Sequence, residues 1–469
     1  MSITGMLFLL CFFPICLGIY HIVRNEAKEY VLLAFSLLFY AFGTPQYLIL
    51  FVSATFLTVL IGRIINNLHK KSAKTILLIL GIAMNSSLLL YYKYSDFLLI
   101  NIGKILPVNQ EPLSLLLPLG ISFFTFKAIS YLADVYKGDA VLSANPLHDA
   151  LYLSFFGQIQ SGPLTRYKNF SFHATGCKAL FCNGIIRFMT GFVKKALIAD
   201  VLNKIVTEVF SKPVGACSAA YLWLGAISFS LQLFFDFAGY SDMAIGISEM
   251  FGYPCMENFN YPYMTDSVGH FFRRWHISLS EWFRDYIYIP LGGSRNKWKP
   301  KVYFNLFVVW VLTGIWHGAS WNFVFWGLLY FILISFEKLT GLPDKIKPRI
   351  GKVFYRIFTL IFIVLNWVMF RAGSLKIGLS YIKNMFINER NPLGDARTLF
   401  LIKDYRFFLL CAIIFCFPIV PWVKKKLENK KVLFGIVKVL YYVALIFAFI
   451  WALSFTFAGY NNPFAYANF

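Results

Sequence analysis

Charge is what this sequence has least of. Asp, Glu, Lys and Arg make up 14% of its 469 residues, where soluble globular chains carry about 25%. Hydrophobic residues fill 58%. That much apolar surface excludes a soluble globular protein. Short alternating strands are also missing, which excludes a transmembrane barrel. The apolar runs are continuous instead, and many approach the roughly 20 residues that a membrane-crossing helix needs. The opening, "MSITGMLFLLCFFPICLGIYHIV", has neither a charged n-region nor a small-residue cleavage site, so it reads as a retained first helix.

Metal and redox chemistry have no signature. The 8 cysteines form no CxxC pair. Cys11, Cys16, Cys411 and Cys416 lie inside apolar runs, where a buried small hydrophobe is the expected role rather than a metal or disulfide framework. An HxxE zinc spacing, a GxSxG elbow, a Walker loop and a GxGxxG turn are all absent. No metal is expected. Neither a soluble domain nor an internal repeat is visible. The paired broken helices and inverted repeats of a transporter are missing too.

What is present is basic charge, 44 Lys and Arg against 22 Asp and Glu, for a net +22. In a soluble chain this would point to nucleic acid. Here the basic residues sit between apolar runs, the pattern of loops held on the cytoplasmic side. The partner they imply is the lipid bilayer, and no nucleic acid is expected.

Apolar runs lie at about 5–22, 30–43, 46–62, 75–92, 113–135, 215–237, 302–316, 321–336, 353–370, 407–423 and 432–457. The region 148–208 is harder to read. "LYLSFFGQIQSGPLTRYKNF" breaks at a Gly-Pro and resembles a re-entrant element. "GIIRFMTGFVKKALIADVLNKIV" either spans with Lys194 and Lys195 facing protein or lies in the interface. The expected architecture is an all-α polytopic membrane protein of roughly eleven or twelve spans, plus re-entrant and interfacial helices. Residues 1–469 are read as one integral domain. Within it, 239–301 forms a cytoplasm-side interfacial segment and 458–469 an external tail. "KKKLENKK", Lys424 to Lys431, marks the inside before the last span.

Ionisable groups at membrane depth are functional candidates. His317 lies in "LTGIWHGASW". Fifteen helical residues from Val302 rise about 22 Å, which puts His317 within the hydrocarbon and past its middle. It is either a structural histidine capping backbone or a general base. Trp316, Trp321 and Trp326 surround it in sequence, and Gly314 and Gly318 leave room for another backbone or a ligand.

His276 lies in "RRWHISLSEWFRDYIYIPLGG" with Arg273, Arg274, Glu281, Arg284 and Asp285. This is either an interfacial helix held by salt bridges or a site for a phosphorylated donor, since Arg matches phosphate. Asp236 and Asp242, in "QLFFDFAGYSDMAIG", are expected to pair with nearby Arg or Lys. Lys127, in "PLGISFFTFKAISYLADVY", must face the bundle interior, where a pairing role is expected.

These stretches, with "FFGQIQSGPLTRY", run in one order over most of the chain. In that order they resemble the membrane-bound O-acyltransferase family. The resemblance is to its bacterial branch, which includes an alginate O-acetylation and a teichoic-acid D-alanylation membrane protein. The alginate type looks closer, from the "RRWHISLS" and "GGSR" wording. The resemblance implies that His317 is the near-essential histidine and His276 the second motif position. It implies a cytoplasmic pocket for a thioester donor and a funnel from outside toward the same histidine. No bound cofactor is expected; the donor would be acetyl-CoA or another acyl thioester. The tail "FAYANF", Phe464 to Phe469, fits an F-x-Y-x-x-F pattern of this branch. The resemblance implies that Tyr466 accepts the acyl group, with an aromatic interface anchor as the plain alternative.

The expected function is an O-acyltransferase of the bacterial cytoplasmic membrane, moving an acetyl group toward a cell-surface polysaccharide. With no hydrolase-like domain of its own, the chain would need a separate extracytoplasmic acetyltransferase. The alternatives are D-alanyl or longer-chain transfer to an envelope polymer, or a transporter.

Overall fold

The computed structural model describes residues 1–105, 111–170, 178–386, 392–460 and 462–464. Every regular element among them is helical; the extended pairing is an isolated bridge between Phe259 and Trp275. The expected all-α membrane architecture is found. Among the described residues, six helices are long and apolar enough to cross a membrane, and the bent pair Ala396–Phe415 and Ile419–Leu427 would make a seventh. The estimate of eleven or twelve counted apolar runs. Several of these fold as shorter helices, including Phe8–Ile22, the 16-residue Lys28–Gly43 and the 17-residue Ile121–Lys137. "SDFLLINIG", too short to span alone, continues the helix that begins at Lys71.

The chain divides into two compact units. The first holds Met1–Phe188, Ala244–Met256 and Glu281–Pro290. Its irregular stretch is the expected one. The helix Pro146–Ser154 ends after nine residues, and Ser161 to Arg166 follow without regular structure yet buried. Buried backbone of this kind must find partners. Tyr152 Oη donates to the Thr165 carbonyl at 2.9 Å, and Ser36 Oγ accepts from the Phe156 amide at 3.1 Å. Arg166 pairs with Glu281 at 2.5 Å and with Asp285. "PLTRY" and "SEWFRDY", far apart in sequence, are thus joined by an ion-pair cluster.

The second unit holds Met189–Met243, Glu257–Ser280 and Leu291–Phe469. Its centre is the helical hairpin Lys299–His317 and Trp321–Thr340. The two helices approach closely because glycine lines the contact. A Cβ on Gly314 would sit 2.5 Å from the Phe323 carbonyl oxygen, and one on Gly327 would sit 2.4 Å from that of Trp310. The helix Ala219–Met250 runs farther than expected, so residues 239–250 of the interfacial segment are helical. The two aspartates expected to pair with Arg or Lys are each matched by a lysine: Asp242 by Lys194 at 2.6 Å, Asp236 by Lys195 at 2.8 Å. Paired carboxylates can be carried inside a buried helix.

Candidate functional site

His317 is the last residue of the Lys299–His317 helix, which stops because Gly318 turns extended at φ −172°. The imidazole is 4% exposed. Aromatic edges and faces box it in. Ring centroids lie 4.8 Å away for Trp316, 4.9 Å for Trp326 and 5.2 Å for Phe370. Trp326 stacks in turn on Trp367 at 6.0 Å. Asn322 ties the turn after His317 to the Arg349–Arg371 helix, donating to the Met369 and Ala372 carbonyls at 3.2 and 2.8 Å. Trp321, expected beside the histidine, is 54% exposed.

His276 is also buried, 2% exposed, and is held by backbone as much as by side chain. Residues 258–260 and 274–277 run antiparallel: the Asn260 amide donates to Arg274 at 2.9 Å and the Ile277 amide to Asn258 at 3.0 Å. His276 then starts the helix Ile277–Phe283, its carbonyl accepting from the Leu279 and Ser280 amides. Asn258 Oδ1 takes three groups: Ser278 N at 3.3 Å, Ser278 Oγ at 2.9 Å and His276 Nδ1 at 3.0 Å. A backbone amide can only donate, so the atom facing Ser278 is the oxygen. His276 Nδ1 must therefore carry the proton, leaving Nε2 with the lone pair. Nε2 is buried without a hydrogen-bond partner among the described residues. Burial pushes the imidazole down to about 3, so it stays neutral at ordinary pH.

Trp316 borders both histidines. Its ring centroid is 4.8 Å from that of His317 and 6.3 Å from that of His276. The two motif histidines, which read as different settings in the sequence, belong to one aromatic cluster. The arginines do not join it. Arg273 is exposed, and Arg274 is half-buried with Nη1 donating to the Asn260 carbonyl at 3.5 Å.

The other expected positions are resolved by their partners. Asp236 and Asp200 flank Lys195, 2.8 and 2.5 Å from its ammonium, in a buried cluster. Lys127 does face the interior of its unit, but it pairs with no carboxylate among the described residues. Its ammonium donates to the Tyr152 carbonyl at 3.0 Å and lies 5.3 Å from that ring. The carbonyls at the end of the Pro146–Ser154 helix supply the negative charge that faces it. Tyr466 lies outside the described residues.

Some site residues carried no usable signal. Asn258 sits in "MENFNYPY" with nothing to mark it as the group that fixes a tautomer 18 residues on. Phe237 is one of many phenylalanines, yet its ring stands edge-on to His276 at 4.6 Å. Lys195 did carry a signal, a lysine inside an apolar helical run.

Comparisons with known proteins identify the family. The model of the membrane-bound O-acyltransferase family matches residues 144–382, which include both histidines. A probable alginate O-acetylase of Pseudomonas aeruginosa is 38% identical over 396 residues, 82% of this chain and 75% of the relative. A peptidoglycan O-acetyltransferase of Helicobacter pylori is 36% identical over 416 residues, 81% of this chain and 78% of the relative. A teichoic acid D-alanyltransferase of Bacillus subtilis is 32% identical over 252 residues, 49% of this chain and 62% of the relative. The alginate type is thus the nearer of the two expected branches. On the family match and on relatives this similar over most of its length, the chain belongs to the membrane-bound O-acyltransferase family and is a multi-pass membrane O-acyltransferase.

Proposed function

We propose that this enzyme takes an acetyl group from a cytoplasmic thioester, acetyl-CoA or a similar donor, and passes it across the bacterial cytoplasmic membrane for O-acetylation of a surface polysaccharide. His317 is the general base. It removes the proton of an accepting hydroxyl, whose oxygen attacks the thioester carbonyl. The carbon–sulfur bond breaks, and the imidazolium returns the proton to the departing thiolate. The first acceptor is the phenol of Tyr466. A separate extracytoplasmic acetyltransferase then moves the acetyl group from the tyrosine ester to the sugar hydroxyl. Two easier transfers replace one hard one. Arg273 and Arg274 are assigned to the phosphates of the donor, and Asp236 and Lys127 to holding the bundle.

The observation that carries the reading is the shared Trp316: both motif histidines border one buried indole. A dry, aromatic-walled imidazole suits a base that must act before water competes. Relatives named as O-acetylating enzymes align over about four-fifths of the chain, whereas a D-alanyltransferase aligns over 49%. D-alanyl transfer is therefore the second reading.

The test is His317→Ala in a strain lacking the native gene. Surface O-acetyl content is expected to fall at least a hundredfold, with the protein still present in the membrane at its normal level. Wild-type acetylation by this variant would overturn the assignment of the base.

A further inference from the structure

Past the last helix, residues 460, 462 and 464 lie against their own unit. Tyr460 lies under the Lys204 ammonium, 4.5 Å from Nζ to the ring centroid. Asn462 lies beside the Asp200 carboxylate and favours its charged form. Phe464 is buried, its ring centroid 4.5 Å from that of Tyr240 and 5.7 Å from that of Phe237. Asp200 and Lys204 are four residues apart on the helix Asp200–Phe210 and so share a face. Residues 460, 462 and 464 of the tail all meet this wall. The last of them touches Phe237, and Phe237 stands edge-on to His276 at 4.6 Å.

The wall has a polar anchor. Lys195 holds both Asp200 and Asp236, and all three are buried. Two carboxylates share that one ammonium. Asp200 Oδ1 accepts from Lys195 at 2.5 Å. A neutral amide beside that carboxylate suits it. A second carboxylate in its place would be repelled with little solvent to screen it.

We propose that Lys204, Asp200, Tyr240 and Phe237 form a cradle that sets the register of the C-terminal segment, and that Asp200 and Tyr240 are positioning residues for acyl transfer. They act by fixing the chain at Asn462 and Phe464. The role in transfer rests on the reading that Tyr466 carries the acyl group; the cradle itself does not.

The test uses the full-length protein in membranes, with benzoylphenylalanine in place of Phe464. Light-induced cross-links are expected on the stretch 237–240, and cross-links elsewhere would overturn the cradle. Asn462→Asp sets two carboxylates against each other. It should abolish this cross-link and lower polymer O-acetylation about a hundredfold, the scale of a misplaced reacting group, while the KM for the donor thioester is unchanged. Adding Asp200→Asn exchanges amide and carboxylate across the contact and should restore both cross-link and transfer. Full acetylation by Asn462→Asp alone would overturn the positioning role, as would a loss that the exchange fails to rescue. The cross-link reads docking without chemistry, so it separates failure of the cradle from failure of the Tyr466 relay.

Discussion

His276 takes a backbone conformation that histidine seldom adopts, with φ at +47°. Left-handed geometry costs a residue with a Cβ about 1 kcal/mol or more, and here the Asn258 contacts and the start of the following helix hold it. Asparagine tolerates this region better than most residues. His276→Asn should therefore keep the fold and remove the ring. Activity is expected to drop about a hundredfold with a near-native melting temperature, and undiminished activity would make His276 a structural residue. His276→Val should in addition lower stability by about 1–3 kcal/mol.

The buried imidazole also sets a pH dependence. Its value in the folded protein is about 3, below the roughly 6.5 of an exposed histidine. The unfolded chain thus binds more protons between these limits. The stability His276 contributes is full above about pH 6.5 and is lost as pH falls toward 3. The melting temperature of His276→Asn should fall less steeply on acidification over that window. An unchanged slope would mean that His276 is not held neutral.

Tyr466 admits an equally narrow test. Tyr466→Phe keeps the ring and removes the nucleophile. Polymer acetylation should fall as far as in His317→Ala, and the native C-terminal peptide should carry an acetylated tyrosine by mass spectrometry. Full acetylation by the phenylalanine variant would reduce the tail to an anchor.

Two elements do the positioning. The first is the glycine-faced hairpin that ends in His317. Adding one methyl at Gly327 forces it against a backbone oxygen, which cannot swing aside as a side chain can. Gly327→Ala should cost about 1–3 kcal/mol and lower activity by displacing His317. Gly435→Ala, in the helix Lys431–Phe457 with nothing near its Cβ, should be neutral or slightly stabilising. Equal melting temperatures for the two variants would refute the close contact. The second element is the helix carrying Lys194 and Lys195. It widens into a π-helical stretch over Lys194–Ala199, and its two successive lysines reach Asp242 and Asp236. Those aspartates are six residues apart on one helix, about 9 Å along its axis. One helix is thereby fastened to the other at two heights.

At the scale of the whole molecule the open quantity is sidedness. The run "KKKLENKK" should stay inside, and the 27-residue helix Lys431–Phe457 is long enough to cross once. A reporter fused after Lys431 should report cytoplasm, and one fused after Phe469 the outside. A cytoplasmic signal from the second fusion would remove the tail from the far side and with it the proposed relay.

Much of this was legible without coordinates. Scarce charge and continuous apolar runs settle a helical membrane protein, because backbone in lipid must satisfy itself. The motifs around His317 and His276 identify the family, and Asp236 and Asp242 announce paired lysines because unpaired carboxylates are too costly to bury. Periodicity cannot say which distant groups meet. Only the tertiary structure brings both histidines to Trp316, gives His276 its tautomer through Asn258, and lays Phe464 against Phe237. It also gives Lys127 a helix-end carbonyl as its partner, since any buried group bearing enough negative charge can hold an ammonium. Local sequence specifies what each segment must bury or pair, while the choice among equivalent partners is made by packing, where shape and distance decide.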